Sequence, residues 1–243
     1  MNFGIIAAGE GSRLVQEGVA FPKPLVPLNG EPMIARLIRI FEENGAERIC
    51  LIVNEQMAEV QAFVRSLKEK LPVRMELVVK STPSSMHSFY EIGKLLKGHG
   101  RFIVTTVDTI FREPDFSGYV KAYENAPAGV DGMMAVTSFV DDEKPLYVET
   151  DEEMNVTAFL DKSAGNDNLC REFVSGGIYG LSDKAVDVLD DCLSSGVSRM
   201  RNYQRALVAA GLNLKAYDMG KIIDVDHAGD IAKAEAFLKD VEE

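Results

Sequence analysis

The sequence predicts an α/β protein with a mixed, mostly parallel sheet. In the first half of the chain, short β-rich runs alternate with helical ones, an order that builds parallel strands joined by right-handed crossovers. In the second half, four strands follow one another with short connections, which indicates an antiparallel portion. The chain contains no repeat, low-complexity tract or linker, so we expect one domain.

The elements of the first half follow from hydrophobic periodicity and from the residues at their ends. In the first predicted helix, Met33, Leu37 and Phe41 share one apolar face, and Gly45 stands where a chain commonly leaves a helix. Strands are predicted at 3–7, 48–53, 73–79 and 101–107, and helices at 32–44, 56–71 and 88–96.

The elements of the second half are assigned in the same way. Ser182 is a suitable N-cap for the helix that it opens, and Ile231, Ala234 and Phe237 give the last helix an inward face. Strands are predicted at 132–138, 146–149, 156–160, 173–179 and 212–218, and helices at 182–193, 200–210 and 230–241.

Composition excludes several classes of protein. Among 243 residues, 26 lysines and arginines stand against 38 aspartates and glutamates, so the formal net charge is −12, and we expect neither nucleic acid nor an anionic membrane as a partner. No apolar run reaches the roughly 18 residues of a transmembrane helix, and the N-terminus lacks the basic region of a signal peptide. Cys50, Cys170 and Cys192 form no CxxC pair. We therefore expect a cytoplasmic protein with reduced thiols.

A glycine-rich loop follows the first predicted strand, at the sheet edge where α/β proteins bind ligands. Glycines let a backbone approach a phosphate closely, and Arg13 adds a fork of charged donors. Leu14 stands where a dinucleotide fingerprint needs a third glycine, and no Walker A sequence is present, so a plain turn is an alternative. The candidate phosphate-binding residues are Ala8, Gly9, Gly11, Ser12 and Arg13.

A proline-rich segment comes next and carries one lysine. Pro22 and Pro24 stiffen the chain on both sides of Lys23, which gives this ammonium group a rigid mount near the glycine loop. A rigid cation beside phosphate-binding amides suits a phosphate clamp. The alternative is a solvated lysine in a proline-rich surface loop.

Three segments together resemble the sugar-phosphate nucleotidylyltransferases: Gly-Glu-Gly-Ser-Arg-Leu at 9–14, Pro-Lys-Pro-Leu-Val at 22–26 and Gly-Glu-Pro-Met-Ile at 30–34. The resemblance implies a three-layer, Rossmann-like α/β/α fold of the nucleotide-diphospho-sugar transferase type. It also implies transfer of a nucleotidyl group from an NTP to a sugar 1-phosphate, with release of pyrophosphate, in a Mg²⁺-dependent reaction. A homodimer is a common assembly for such a protein.

The resemblance further implies a single domain over 1–243, with a nucleotide-binding half at 1–110 and a sugar-phosphate-binding half with a closing helix at 111–243. Other phosphorylated acceptors on the same fold are alternatives, as in phosphocholine cytidylyltransferases or molybdenum-cofactor guanylyltransferases. A non-catalytic nucleotide-sugar-binding protein is a third. No hexapeptide repeat follows the closing helix, so we expect no acyltransferase domain.

Carboxylates at two places are candidate metal ligands. Asp108 follows a predicted strand beside the glycine loop, and by resemblance it is the family's metal-binding aspartate, although a turn or N-cap aspartate is an alternative. Asp224 and Asp226 point the same way if their segment is extended, so spacing does not choose between them, whereas the resemblance favours Asp226. Asp230 suits the N-terminus of the last helix. Catalytic roles are expected for Arg13, Lys23 and Asp108.

Two further regions are candidate substrate contacts by resemblance. Hydroxyl groups at Ser84, Ser85 and Ser88 stand where relatives read the base, but the usual glycine is absent, and simple N-capping is an alternative. In the second half, the candidate sugar-phosphate-binding residues lie in a segment that ends a strand and in a Ser-Gly-Gly-Ile-Tyr strand, where a glycine at a bulge is an alternative. They are Asp161, Lys162 and Gly177.

Overall fold

A nine-stranded sheet forms the centre of the fold in the computed structural model, which describes residues 1–141, 143–162 and 172–239. In chain order the strands, including two short pairs outside this sheet, are β1 (Asn2–Ala7), β2 (Pro27–Leu28), β3 (Glu31–Pro32), β4 (Arg48–Val53), β5 (Arg74–Val79), β6 (Phe102–Thr106), β7 (Thr109–Ile110), β8 (Gly132–Thr137), β9 (Tyr147–Thr150), β10 (Val156–Leu160), β11 (Phe173–Leu181), β12 (Leu214–Asp218) and β13 (Ile223–Asp224). The helices are α1 (Ser12–Gln16), α2 (Met33–Glu43), α3 (Ala58–Lys68), α4 (Ser85–Leu96), α5 (Glu113–Glu124), α6 (Asp183–Ser194), α7 (Met200–Ala209) and α8 (Ala228–Lys239), and a 3₁₀ turn covers Lys23–Leu25.

The sheet is mixed and mostly parallel, as the sequence predicts. Its strands lie in the order β5-β4-β1-β6-β11-β8-β12, and the β9–β10 hairpin pairs with the start of β11. In the nucleotide-type half all the neighbouring strands of this sheet are parallel, and Gly4 in β1 stands between Cys50 of β4 and Val104 of β6, whereas in the described part of the second half only β8 and β12 are parallel to each other. β11 runs antiparallel to β6, β8 and β9 and joins the two halves into one sheet.

Helices cover both faces of the sheet, which confirms the three-layer fold. β1 is buried along its whole length, so its alternate side chains serve two different cores. Phe3, Ile5 and Ala7 pack in the core beneath α2, α3, α5 and α8, whereas Ile6 and Ala8 belong to the core beneath α4, α6 and α7.

The predicted elements match the structure except near their ends, but the short helix α1, the longer helix α5 and the short strands β2, β3, β7 and β13 were not predicted. The strands at 48–53 and 156–160 have the predicted bounds, and α4 begins at Ser85, three residues before the predicted start at 88. Pro114 near the start of α5 is a helix-initiation signal, but Gly118 and the aromatic residues lower the helix propensity of the segment.

Several smaller expectations can be compared with the structure. Ser182 stands at the N-cap position of α6, but its hydroxyl caps no backbone N–H group and is buried without a partner. Cys50 and Cys192 are free and buried, as predicted, whereas Cys170 and the predicted helix end at 240–241 lie outside the described residues. Across the described part of the chain, no helix combines the length and apolarity needed to cross a bilayer.

A short antiparallel ladder positions the site at the carboxyl edge of the sheet. After β6 the chain passes through Asp108 into β7, which pairs with β13 through Thr109 and Asp224. The backbone N–H of Val225 also donates to the carbonyl of Asp108, at 3.1 Å. This pairing brings the end of β6 next to the segment that carries Asp226.

Candidate active site

The ammonium group of Lys23 joins two carboxylates that are distant in sequence. Its Nζ lies 2.5 Å from Oδ2 of Asp108 and 2.7 Å from Oδ1 of Asp226. The second carboxylate oxygen of Asp226 accepts from Nη1 of Arg13 at 3.2 Å. The structure therefore brings together four predicted site residues: two cations and two carboxylates.

The charges of this cluster depend on one another. The Lys23 side chain is only 11% exposed, and burial alone would lower its pKa, but the charge of Asp108 and the hydrogen bonds to both carboxylates outweigh burial and raise it. Burial would likewise raise the pKa of Asp108, but Lys23 and a hydrogen bond from Thr106 outweigh burial and lower it. Both groups are therefore charged at neutral pH.

The glycine loop explains why Lys23 lies where it does. Gly11 has φ +61°, and a Cβ atom there would stand 2.8 Å from the Cβ of Lys23. Only glycine accepts both the left-handed backbone and this close approach without strain. Gly9 has open space around its Cα. The loop thus packs against the lysine at Gly11 and leaves Gly9 facing free volume.

The first cavity, of about 690 Å³, opens between the glycine loop and the turn before α4. Asn54, which is almost fully buried, connects these two walls: its Nδ2 donates to the carbonyl of Ala8 and its Oδ1 accepts from the hydroxyl of Ser81. The predicted residues that line the cavity are Ala8, Gly9, Gly11, Ser12, Arg13, Lys23, Ser84, Ser85, Ser88, Asp108 and Asp226.

The three predicted base-contacting serines differ in their surroundings. Ser84 stands at the N-cap position of α4 without capping it, because its hydroxyl pairs with Nδ1 of His87 at 2.9 Å. Ser88 is buried, and its hydroxyl lies 2.5 Å from that of Thr82. Ser85 lines both this cavity and the next one.

The second cavity, of about 400 Å³, adjoins the first at Asp108 and Asp226, which line both. Gly177 lies in its wall with φ +73°, where a Cβ atom would stand 2.7 Å from Oγ1 of Thr109. The pairing of β11 with β8 shifts register around this glycine, so the strand does carry an irregularity of the bulge type there. The glycine therefore permits close packing against the strand that follows Asp108.

The other two predicted sugar-phosphate-binding residues lie beside the second cavity rather than in its wall. Asp161 and Lys162 line a third cavity, of about 470 Å³, which shares Lys144 and Arg201 with the second. The carboxylate of Asp161 is paired with Arg201 at 2.7 Å and with Arg205 at 2.8 Å. The structure therefore does not bring this acid or Lys162 into the cavity that contains Asp108.

Sequence reasoning missed most of the second cavity. Its cations are Lys144, Arg199 and Arg201, and Arg199 has φ +74°, a backbone conformation that is strained for a residue other than glycine. The Arg-Met-Arg sequence at the start of α7 was the available signal. Uncharged polar lining is supplied by Ser175, Tyr179 and Gln204.

The remaining acidic residues near the site differ in the groups that they contact. The carboxylate of Asp230 accepts from the backbone N–H groups of Asp226 and His227, so it serves the N-terminus of α8, as predicted. Asp224 pairs with Thr109 in the β7–β13 ladder and lines the second cavity, whereas the carboxylate of Asp226 forms ion pairs with Lys23 and Arg13. Glu17, which was not predicted, accepts from the backbone of Ala228.

The sheet order and the two helical layers define a fold of the nucleotide-diphospho-sugar transferase type. Two solved structures share the fold over nearly the whole chain. An inositol-1-phosphate CTP transferase from T. maritima superposes with a TM-score of 0.78 at 16% identity, covering 99% of this chain and 96% of that one. A putative glucose-1-phosphate thymidylyltransferase from Bacillus anthracis gives 0.79 at 20% identity, covering 100% and 97%.

The chain belongs to the nucleotidyl transferase family, whose sequence model matches residues 4–240. Among its relatives, the bifunctional protein GlmU of Methanococcus maripaludis strain C7 is 25% identical over 233 residues, which are 95% of this chain and 52% of GlmU. A probable mannose-1-phosphate guanylyltransferase of Oryza sativa subsp. japonica is 27% identical over 194 residues, 76% of this chain and 51% of that protein. The chain spans about half the length of these curated relatives.

Proposed function

We propose that this protein transfers a nucleotidyl group from an NTP to a sugar 1-phosphate and releases pyrophosphate. One observation carries the proposal: two cavities meet at Asp108 and Asp226, and Lys23 lies between these carboxylates. A transfer between two anionic substrates needs such a junction, where donor and acceptor phosphates can meet beside fixed charges. The names of the curated relatives support the choice of a sugar 1-phosphate as acceptor.

In this reaction the NTP occupies the first cavity. Arg13 and the amides of the glycine loop hold the triphosphate, and Lys23 stabilises the negative charge that develops around the α-phosphorus. An oxygen of the acceptor phosphate attacks the α-phosphorus in line, and the bond to the β-phosphate oxygen breaks to give pyrophosphate. The acceptor phosphate is already ionised at neutral pH, so no side chain has to remove a proton.

The acceptor phosphate lies in the second cavity under this proposal. Arg199 and Arg201 are the two arginines that line this cavity together with Asp108, and a guanidinium group can hold a phosphate through two hydrogen bonds, so we assign them the positioning of the attacking phosphate. Lys162, the residue favoured from the sequence for this role, lines the third cavity instead. We infer that it contacts a more distant part of the acceptor.

The two carboxylates fit a divalent cation of the Mg²⁺ type. In the structure they already surround one cation, the ammonium of Lys23, and the described residues contain no group of three or more His, Cys, Asp or Glu side chains that could hold a metal without help. Mg²⁺ commonly takes one or two carboxylates and completes its shell with phosphate oxygens and water. Asp108 and Asp226 would hold the ion, which when bound offsets charge on phosphate oxygens.

A pyrophosphate-release matrix tests the proposal. Each of ATP, GTP, CTP, UTP and dTTP is offered with glucose, mannose, N-acetylglucosamine or inositol 1-phosphate, and with phosphocholine, in the presence of MgCl₂. We expect pyrophosphate only when an NTP and a sugar or polyol phosphate are both present. Release with phosphocholine alone among the acceptors, or release from NTP without acceptor, contradicts the proposal.

A further inference from the structure

Gln204 is a buried amide in the wall of the second cavity. It lies on α7 and is only 3% exposed. Its Oε1 accepts a hydrogen bond from the hydroxyl of Ser175 at 2.9 Å, which fixes the plane of the amide. Within the described residues, no protein acceptor pairs with its Nε2 group. Nε2 is not among the fully buried polar atoms that lack a partner, so it is the part of the side chain that is open to the cavity, where water or a ligand can accept its hydrogen bond.

We propose that Gln204 determines acceptor specificity by donating a hydrogen bond from Nε2 to a ring oxygen substituent of the acceptor. The inference rests on the proposed function, because it places the acceptor in the second cavity. Ser175 acts as a positioning residue, since its hydroxyl holds the amide so that Nε2 is the atom left for the ligand. The backbone of Ser175 is itself held in β11 by a hydrogen bond to the carbonyl of Leu146, at 2.8 Å.

This arrangement selects acceptors by whether they accept the hydrogen bond that Nε2 of Gln204 offers. An acceptor with a hydroxyl or carbonyl oxygen at the right position accepts from Nε2, whereas a bound analogue without that oxygen shields the donor from water and leaves it without a partner. Sites built around such a donor discriminate strongly against the analogue that lacks the acceptor atom. The chemical class that fits is a polyhydroxylated ring phosphate.

The lining around Gln204 favours the same class. Three cations and three carboxylates line the cavity, and Tyr179 is the one aromatic side chain among its described lining residues. A quaternary ammonium group is recognised by aromatic cages, which a single tyrosine does not form. This cavity therefore suits a phosphate with a neutral polyol body better than phosphocholine.

The test compares Gln204→Met and Gln204→Glu with the wild type on paired acceptors. The parent acceptor is the one of glucose, mannose and N-acetylglucosamine 1-phosphate that the wild type uses with the highest kcat/KM. It is compared with its own monodeoxy analogues or, for N-acetylglucosamine 1-phosphate, with the N-deacetylated analogue. We expect one analogue to lose about 10- to 100-fold in kcat/KM with the wild type. We expect Gln204→Met to lose a similar factor on the parent acceptor, through the acceptor KM, and to treat parent and analogue alike. The KM for NTP stays unchanged.

Two further variants separate specificity from folding. Ser175→Ala frees the amide and should raise the acceptor KM with unchanged kcat, whereas Ser194→Ala, which removes an exposed hydroxyl at the end of α6, should change neither. Gln204→Glu keeps the size and the contact with Ser175, so it reports the same loss if Gln204→Met folds poorly. Equal losses on parent and analogues, or a raised KM for NTP, overturn the inference while leaving the proposed function intact. No pyrophosphate with any sugar 1-phosphate overturns both.

Discussion

The ammonium nitrogen of Lys23 lies 2.5 Å from a carboxylate oxygen of Asp108, at the junction of two cavities. Removing either member of a largely buried ion pair leaves the other without compensation, so the pair is not a free source of stability. The position of Lys23 beside the glycine loop suits the role in phosphate binding that we propose for it. A fixed cation there can exchange a carboxylate partner for a phosphate oxygen, which is the behaviour that nucleotidyl transfer requires.

Lys23→Met should lower kcat by about 10²- to 10³-fold, because preorganised charge near a developing negative charge is worth this much in other transfer reactions. Steady-state pyrophosphate release measures the loss. Lys94→Met removes an exposed lysine paired with Glu91 and serves as the matched control, with expected activity close to wild type. Near-normal turnover of folded Lys23→Met, with folding checked by thermal melting, would refute the catalytic role.

Asp226→Asn and Asp224→Asn form a matched pair that identifies the second cation ligand. Asp226 contacts Lys23, the partner that it shares with Asp108, so its loss should raise the Mg²⁺ concentration for half-maximal activity by about tenfold or more. Asp224→Asn should shift this concentration much less. The measurement is a MgCl₂ titration of initial rate for each variant. A larger shift for Asp224→Asn would assign the role to Asp224.

Gly11→Ala should lower the stability of the fold, whereas Gly9→Ala should leave stability unchanged and weaken NTP binding. Alanine at 11 must adopt a left-handed backbone and meets Lys23, so we expect about 1–3 kcal/mol of destabilisation in urea unfolding. Alanine at 9 meets no heavy atom within 4 Å, so stability should stay within about 0.5 kcal/mol of wild type, while the KM for NTP rises as the methyl group enters phosphate space. Equal stabilities for the two variants would contradict the packing described for Gly11.

Asp131 should make stability depend on pH at the acid end. Burial alone would raise its pKa, but hydrogen bonds from Lys184 and the amide of Asn213 outweigh burial and hold the pKa below its usual 3.8. A depressed pKa stabilises the fold above the unfolded value, and the contribution is lost as pH falls through the folded value. The advantage of wild type over Asp131→Asn in urea unfolding should therefore be full near pH 6 and shrink below about pH 4. A difference that does not vary with pH would contradict this.

The parts of the fold that the sequence predicts well are those that local patterning determines. β4 and β10 have their predicted bounds because their apolar runs end sharply at turn residues. α5 was missed although its buried residues Phe116, Tyr119 and Tyr123 keep helical spacing, because Gly118 and the aromatic residues give the segment a low intrinsic helix propensity that packing on the sheet overrides.

The same distinction between local signals and long-range packing applies to the candidate site. Lys23 and Asp108 could be proposed because each follows a recognisable local signal, a proline-flanked lysine and a strand end. The ion pairs of Asp161 with Arg201 and Arg205 could not, since they join residues 40 or more positions apart through the packing of α7 on β10. Gln204 could not be predicted for a similar reason, because its proposed role depends on its contact with Ser175 of β11 and not on a sequence motif.

In the proposed reaction, the α-phosphorus of an NTP is transferred to a sugar 1-phosphate. The most direct measurement follows two labels in parallel reactions, one with α-labelled and one with γ-labelled NTP, in the presence of the acceptor identified by the release matrix and MgCl₂. We expect the α-label in an NDP-sugar and the γ-label in pyrophosphate, in equal amounts. A γ-label recovered in free phosphate or on the sugar, with the α-label left in a nucleoside diphosphate, would contradict it.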